Sequence, residues 1–200
     1  MILLLLSALA SAEPADQPRA GVAPLVGLQV GGDLSLSPLG AAFLPQLELG
    51  VELPFSNRRF RVVGLGSWSR PPAAGQSEDS RVPDGAWTWE LHQTEGMLAL
   101  CGVVRIPELS ERVVPELTLG PQVYLLRSTV DGAAGGQDFG ESTEQYMRVG
   151  LHSALGVALA LGPGELNAQL GFSTSALDGV VTGDSTTMAL APLLGYRLLF

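Results

Sequence analysis

The sequence predicts an all-β fold: eight antiparallel strands, joined up and down and closed into a transmembrane β-barrel. Three observations predict it. Residues 186–200 alternate with period two. Phe200, Leu198, Tyr196, Leu194, Pro192, Leu190 and Met188 share one face, and Leu199, Arg197, Gly195, Leu193, Ala191, Ala189 and Thr187 the other. One face is wholly apolar and the other is smaller with a single charge, as in a strand with two unlike sides. Second, the mean hydropathy is positive, yet no internal run approaches the ~20 apolar residues of a membrane helix. Apolar residues spread over alternate positions give a membrane barrel such an average. Third, the connections alternate in length: every even-numbered one is tight, and two of the odd ones are long.

The elements follow in order. Residues 1–12 read as a secretory signal, with an apolar core from Ile2 to Ala10 and an A-x-A cleavage site at Ala10-Ser11-Ala12. Residues 13–23 are a polar lead-in, and 24–200 form the barrel. The first strand, 24–37, sets Val26, Leu28, Val30, Leu34 and Leu36 against Gly27, Gln29, Gly31, Asp33 and Ser35. After a short connection, the second, 46–55, sets Leu47, Leu49, Val51, Leu53 and Phe55 against Gln46, Glu48, Gly50 and Glu52. Ser56-Asn57-Arg58-Arg59 is a tight turn. The third strand, 60–70, does not separate its faces. Residues 71–85 read as a long Pro/Gly/Ser/Asp loop.

The fourth strand, 86–106, opposes Trp87, Trp89 and Leu91 to Thr88, Glu90, His92, Thr94 and Gly96. Its alternation blurs after Met97, where a bulge is expected. Residues 107–112 turn the chain. The fifth strand, 113–130, opposes Leu117, Leu119, Val123 and Leu125 to Glu116, Thr118, Gly120, Gln122 and Tyr124. Residues 131–144 read as a second long loop. The sixth, 145–161, opposes Met147, Val149, Leu151, Leu155, Val157 and Leu159 to Arg148, Gly150, His152, Ala154 and Gly156. Gly162-Pro163-Gly164 turns into the seventh, 165–176, and a loop leads to the eighth. Pro121 and Pro192 fall inside strands, where each removes a ladder hydrogen bond, so bulges or water-bridged gaps are expected there.

The closing stretch resembles the terminal strand of bacterial outer-membrane β-barrels, which carries a glycine, a hydrophobic residue two before the end and a terminal aromatic. Gly195, Leu198 and Phe200 stand in those places, with Leu193 where that family usually has a polar residue. The resemblance, to the small eight-stranded type, spans the mature chain. It implies an outer-membrane location and insertion through recognition of the last strand by the barrel-assembly machinery. It also implies contact with outer-membrane lipid and lipopolysaccharide. The role it implies for the monomer is structural, adhesive or that of a binding platform, with a narrow or plugged polar lumen. The even connections are then periplasmic. Trp68, Trp87 and Trp89 fall at the external rim and Phe55, Phe60 and Phe200 at the periplasmic rim, as two aromatic belts.

Glu48, Glu52, Glu90, Glu116, Arg148, His152 and Arg197 fall on the face expected to line the lumen. Buried charges must pair or be solvated, so a network of carboxylates around Arg148 and Arg197 is expected to plug the barrel. No catalytic residue is expected: His152 and Ser153 are adjacent and point to opposite faces, and His92 shares a face with Glu90 but with no nucleophile. Cys101 is alone, so no internal disulfide forms. No phosphate loop, zinc spacing or redox pair occurs, and the loop carboxylates lack a cation-loop spacing, so neither cofactor nor metal is expected. A net charge of −9, with 11 arginines and no lysine, argues against nucleic acid. Two other readings stay open. One is a soluble periplasmic, lipocalin-like ligand-binding barrel with its apolar face inward. The other is a small channel or lipid-modifying barrel enzyme.

Overall fold

The computed structural model describes residues 21–36, 39–54, 59–78, 86–107, 113–134, 137–176 and 186–200. The expected signal segment and most of the lead-in lie outside the described residues. The described residues form nine strands: β1 (Ala23–Ser35), β2 (Ala42–Glu52), β3 (Phe60–Ser69), β4 (Pro72–Glu78), β5 (Ala86–Arg105), β6 (Val113–Ala134), β7 (Gln137–Leu161), β8 (Gly164–Ala176) and β9 (Thr186–Leu199). All pairings are antiparallel. The sheet runs β3-β2-β1-β9-β8-β7-β6-β5, and β5 returns to β3 and closes it. β3 pairs with Glu95–Val104 of β5, and β4 continues along the same strand from His92 to Ala86. Thus β3 and β4 are one stave interrupted at Arg70-Pro71, where Pro71 and Pro72 supply no backbone donors. Nine strands make a closed barrel of eight staves.

The expected 131–144 loop is largely sheet, and the described part of the expected 71–85 loop is strand as well, with 79–85 outside the described residues. Most of 71–78 is β4. β6 and β7 run on as a hairpin to the pair Ala134↔Gln137, with a bulge between Asp131 and Ala133. Small and polar residues stand on both faces of these segments, so the period-two signal fades there while the ladder continues. β4, β5, β6 and β7 therefore project as a four-stranded sheet beyond the far end of the barrel, the end opposite the start of β1 and the end of β9. β8 leaves β7 at Gly150↔Ser175, so among the described residues β7 has a strand neighbour on one side only from Gln137 to Val149.

The expected bulge after Met97 is absent. Met97, Ala99, Cys101 and Val103 point inward, Leu98, Leu100 and Val104 outward, and the register with β6 is constant. The alternation blurred because the lumen is itself apolar at this height: these four side chains pack with Val63, Leu65, Tyr124 and Leu126. Gaps do occur at the two prolines. The β5–β6 ladder skips the pairs between Ala99↔Gln122 and Gly102↔Leu119, opposite Pro121. The β1–β9 ladder skips those between Gly31↔Leu193 and Leu34↔Leu190, opposite Pro192. Neither gap shifts the register.

The polarity of the wall is inside out. Leu98, Leu100, Leu119, Val149, Leu151, Leu155 and Leu194 are exposed outside, Leu155 to 68%. Arg61, Glu48, Gln29, Gln122 and Asn167 are buried inside, at 1–2% exposure. A soluble ligand-binding barrel has the reverse polarity, so that reading falls. At the seam between β1 and β9, a Cβ on Gly195 would lie 2.3 Å from the Leu28 carbonyl oxygen and 2.7 Å from Gln29 Cα. The glycine of the terminal motif is thus a position where the ring closes too tightly for a side chain, as is Gly31 on the same seam.

Candidate functional site

The near half of the lumen is filled by ions. Seven of the eight staves contribute at similar height: Gln29 from β1, Glu48 and Glu52 from β2, Arg61 from β3, Arg105 from β5, Glu116 from β6, Glu165 and Asn167 from β8, and Arg197 from β9. The eighth, β7, presents Ala154, Gly156 and Ala158 here, and these small residues leave room for the long side chains opposite. Arg61 Nη2 donates to Glu52 Oε2 at 2.7 Å and Nη1 to Glu165 Oε2 at 2.8 Å and Glu116 Oε1 at 3.2 Å. Arg105 Nε donates to Glu116 Oε1 at 3.0 Å and Nη2 to Glu165 Oε1 at 2.5 Å. Arg197 Nη1 donates to Glu116 Oε2 and Nη2 to Glu48 Oε2, each at 3.0 Å. Three guanidiniums thus interlock with four carboxylates. Amides cover this layer: Gln29 donates to Glu48 at 3.0 Å, Asn167 to Glu116 at 3.2 Å, and Gln169 to Gln29 at 2.6 Å. Such a layer is costly to desolvate, and it persists because nearly every donor has an acceptor.

Of the residues expected in the lumen, Glu48, Glu52, Glu116, Arg197 and His152 are there. Arg148 is not part of the network. It lies higher on β7, stacked over the Tyr146 ring at 5.3 Å and donating to the Met147 carbonyl. Arg61 and Arg105 take the place foreseen for it. Glu90 is not in the lumen either. Glu90 and His92 lie 3.9 Å apart on the outer face of the projecting sheet, both largely exposed. The reversal has one cause. Beyond the membrane span, the outer face of β5 is wet and its inner face is covered, so Leu91, Gln93 and Glu95 turn inward. Trp89 shares their face and packs where Gly75 of β4 leaves space; a Cβ on Gly75 would lie 2.5 Å from its ring. Trp89 is therefore not an outer-belt residue. Trp87 lies in β5 two residues earlier, and Phe55 lies outside the described residues. Trp68 at the far rim, and Phe60 and Phe200 at the near rim, do face outward. Tyr196 joins the near rim, its hydroxyl donating to the Leu161 carbonyl at 2.6 Å.

The far half of the lumen holds a second polar group. Ser69 donates to Asp33 at 2.7 Å, Gln93 to Glu95 at 2.5 Å, and His152 Nδ1 lies 3.0 Å from Ser173 Oγ. Sequence alternation did not anticipate this serine–histidine pair, because it joins two strands. It faces a cavity of about 20 Å³ lined by Asp33, Glu95, Tyr124 and Met97. That volume suits about one water molecule and no acyl or peptide substrate.

An all-antiparallel, eight-stave closed barrel with an apolar exterior and an ion-paired core is the architecture of the small outer-membrane barrels, and this chain has that fold. Among solved structures it is similar to a major outer membrane protein from Thermus thermophilus (14% identity, 88% of this chain and 99% of that one, TM-score 0.59). It is similar also to the outer membrane protein OprG from Pseudomonas aeruginosa (10% identity, 90% and 96% covered, TM-score 0.52). Neisserial surface protein A aligns at 18% identity over 90% and 97% of the chains, with a TM-score of 0.48. No protein-family model and no curated protein matches the chain.

Proposed function

We propose that the protein is an outer-membrane barrel whose lumen is sealed and whose projecting sheet is a structural or adhesive binding platform. The observation that carries this reading is the inside-out polarity: a charge-poor apolar belt around a lumen packed with interlocked ions. Such a wall is at its lowest free energy in lipid. The near end, with short turns and both ends of the strand sequence, faces the periplasm, and the β4–β7 sheet faces outward. Along Gln137–Val149 no second strand among the described residues pairs with β7, and such a margin is the footing for an added strand from a partner polypeptide. Two structural neighbours are outer-membrane proteins by name, which supports the location. The sealed lumen argues against a channel, and the enclosed serine–histidine pair against a lipid-modifying enzyme.

The test is to fold the mature chain in detergent, run it unboiled and boiled on a denaturing gel, and then reconstitute it in planar bilayers. We expect a heat-dependent mobility shift and no discrete conductance steps. A folded monomer that is soluble in plain buffer would sink the membrane reading. Regular steps of conductance would sink the sealed lumen.

A further inference from the structure

The outer wall changes character over two adjacent cross-strand rows at the far rim. One row is Trp68↔Gly96↔Leu125↔Met147. Two residues further out along each strand, Thr94↔Arg127↔Gln145 are paired, and Arg70 extends that row on the β3 side. The lower row is apolar, and the upper is two arginines, a threonine and a glutamine. Gly96 lies at the middle of the lower row. An added Cβ there would meet nothing closer than 3.7 Å, so the glycine marks open space rather than a steric demand. The result is a groove of about 520 Å³ on the outside of the barrel, lined by Trp68, Thr94, Gly96, Leu125, Arg127 and Met147.

Both arginines are free to bind. The Arg70 guanidinium lies over the Trp68 ring at 4.6 Å, which holds the charge against the groove wall. Arg127 is exposed, and no carboxylate among the described residues pairs with it. Two strand spacings, about 10 Å, separate β3 from β6, a gap that two side chains of arginine length can bridge through a phosphate above Thr94. The next like-charged row outward is acidic, Glu90↔Asp131↔Glu141, and lies about 13 Å beyond along the strands. An anion is thus held at the arginine row and repelled from further out.

We propose that this ledge binds a phosphorylated amphiphile of the surrounding leaflet. Its phosphate sits between Arg70 and Arg127 with the Thr94 hydroxyl as a further donor, and an acyl chain descends through the groove over Gly96 between Trp68 and Leu125. Arginine forks match phosphate oxygens, and an apolar channel directly below a cationic ledge selects a headgroup already joined to a chain. The proposal rests on the outer-membrane reading above.

The test titrates the detergent-folded mature chain with diphosphoryl lipid A, with its dephosphorylated form and with inorganic phosphate, read by native mass spectrometry. We expect a saturable one-to-one complex with the first, roughly tenfold or more weaker binding of the second, and none of the third. The double variant Arg70→Gln/Arg127→Gln removes the preference for phosphate, and Gly96→Leu weakens binding with both charges kept. Arg148→Gln, outside the groove, leaves binding unchanged. Equal binding of the two lipid forms, an unchanged affinity in the double variant, or capture of inorganic phosphate alone would each overturn the site while the heat-dependent gel shift still reports a folded barrel. Loss of that shift in the parent chain would instead overturn the membrane reading, and the site with it.

Discussion

At the scale of single residues, the ion layer makes unequal demands on its arginines. Arg61 is 1% exposed and touches three carboxylates. Arg61→Met leaves Glu52 and Glu165 short of a partner, and removing one member of a buried pair costs about 3–5 kcal/mol. Urea titration of the folded barrel should show that loss, whereas Arg148→Leu should change stability by no more than the ~1 kcal/mol of a stacking contact. Gly195→Val should prevent closure, read as loss of the heat-dependent shift, because no side chain fits between β9 and the β1 backbone. Glu48, Glu52, Glu116, His152 and Arg197 were legible in the sequence because they stand in strands with clean alternation. Arg61 was not: its strand places Val63 and Leu65 on the same face, since that part of the lumen is apolar. Arg105 and Glu165 escaped for another reason, standing at the last and near-first positions of their strands, where a boundary is easily misjudged. The signal that would have found them is a shared height. Arg61, Arg105, Glu165 and Arg197 all lie within a few residues of a near-end turn or terminus.

At the scale of the element, eight staves were readable from period two, and the strand limits within the membrane span agree to within a few residues. What was not readable lay outside that span, where residues 72–78 and most of 131–144 lost alternation and passed for loops while the backbone ladder continued. Two consequences are measurable. Pro121→Val should restore the missing β5–β6 bond and raise stability by about 1 kcal/mol, with a newly protected amide at position 121 in hydrogen exchange. In the projecting sheet, Glu90, Asp131 and Glu141 stand in one cross-strand row as like charges. Asp131→Asn should relieve about 0.2–1 kcal/mol of repulsion and slow exchange of the amides from Thr129 to Thr143. No change in those rates would mean that solvent already screens the row.

At the scale of the molecule, the pairs that seal the lumen lie out of reach of salt, whose screening acts on exposed charges. The unfolding midpoint in detergent should therefore be nearly the same in low and high sodium chloride, and a steep decline would place the stabilising charges on the surface instead. The seal also depends on the order in which the chain is joined. Arg197 belongs to β9, the strand that meets β1 to close the ring, and it is the partner of Glu48 and Glu116 from opposite walls. Until that strand docks, four acids share two cations in a half-built pore. Completing the hydrogen-bonded circle and neutralising its interior are thus a single event, so a barrel with its last strand missing or misregistered keeps an unbalanced negative charge inside its wall.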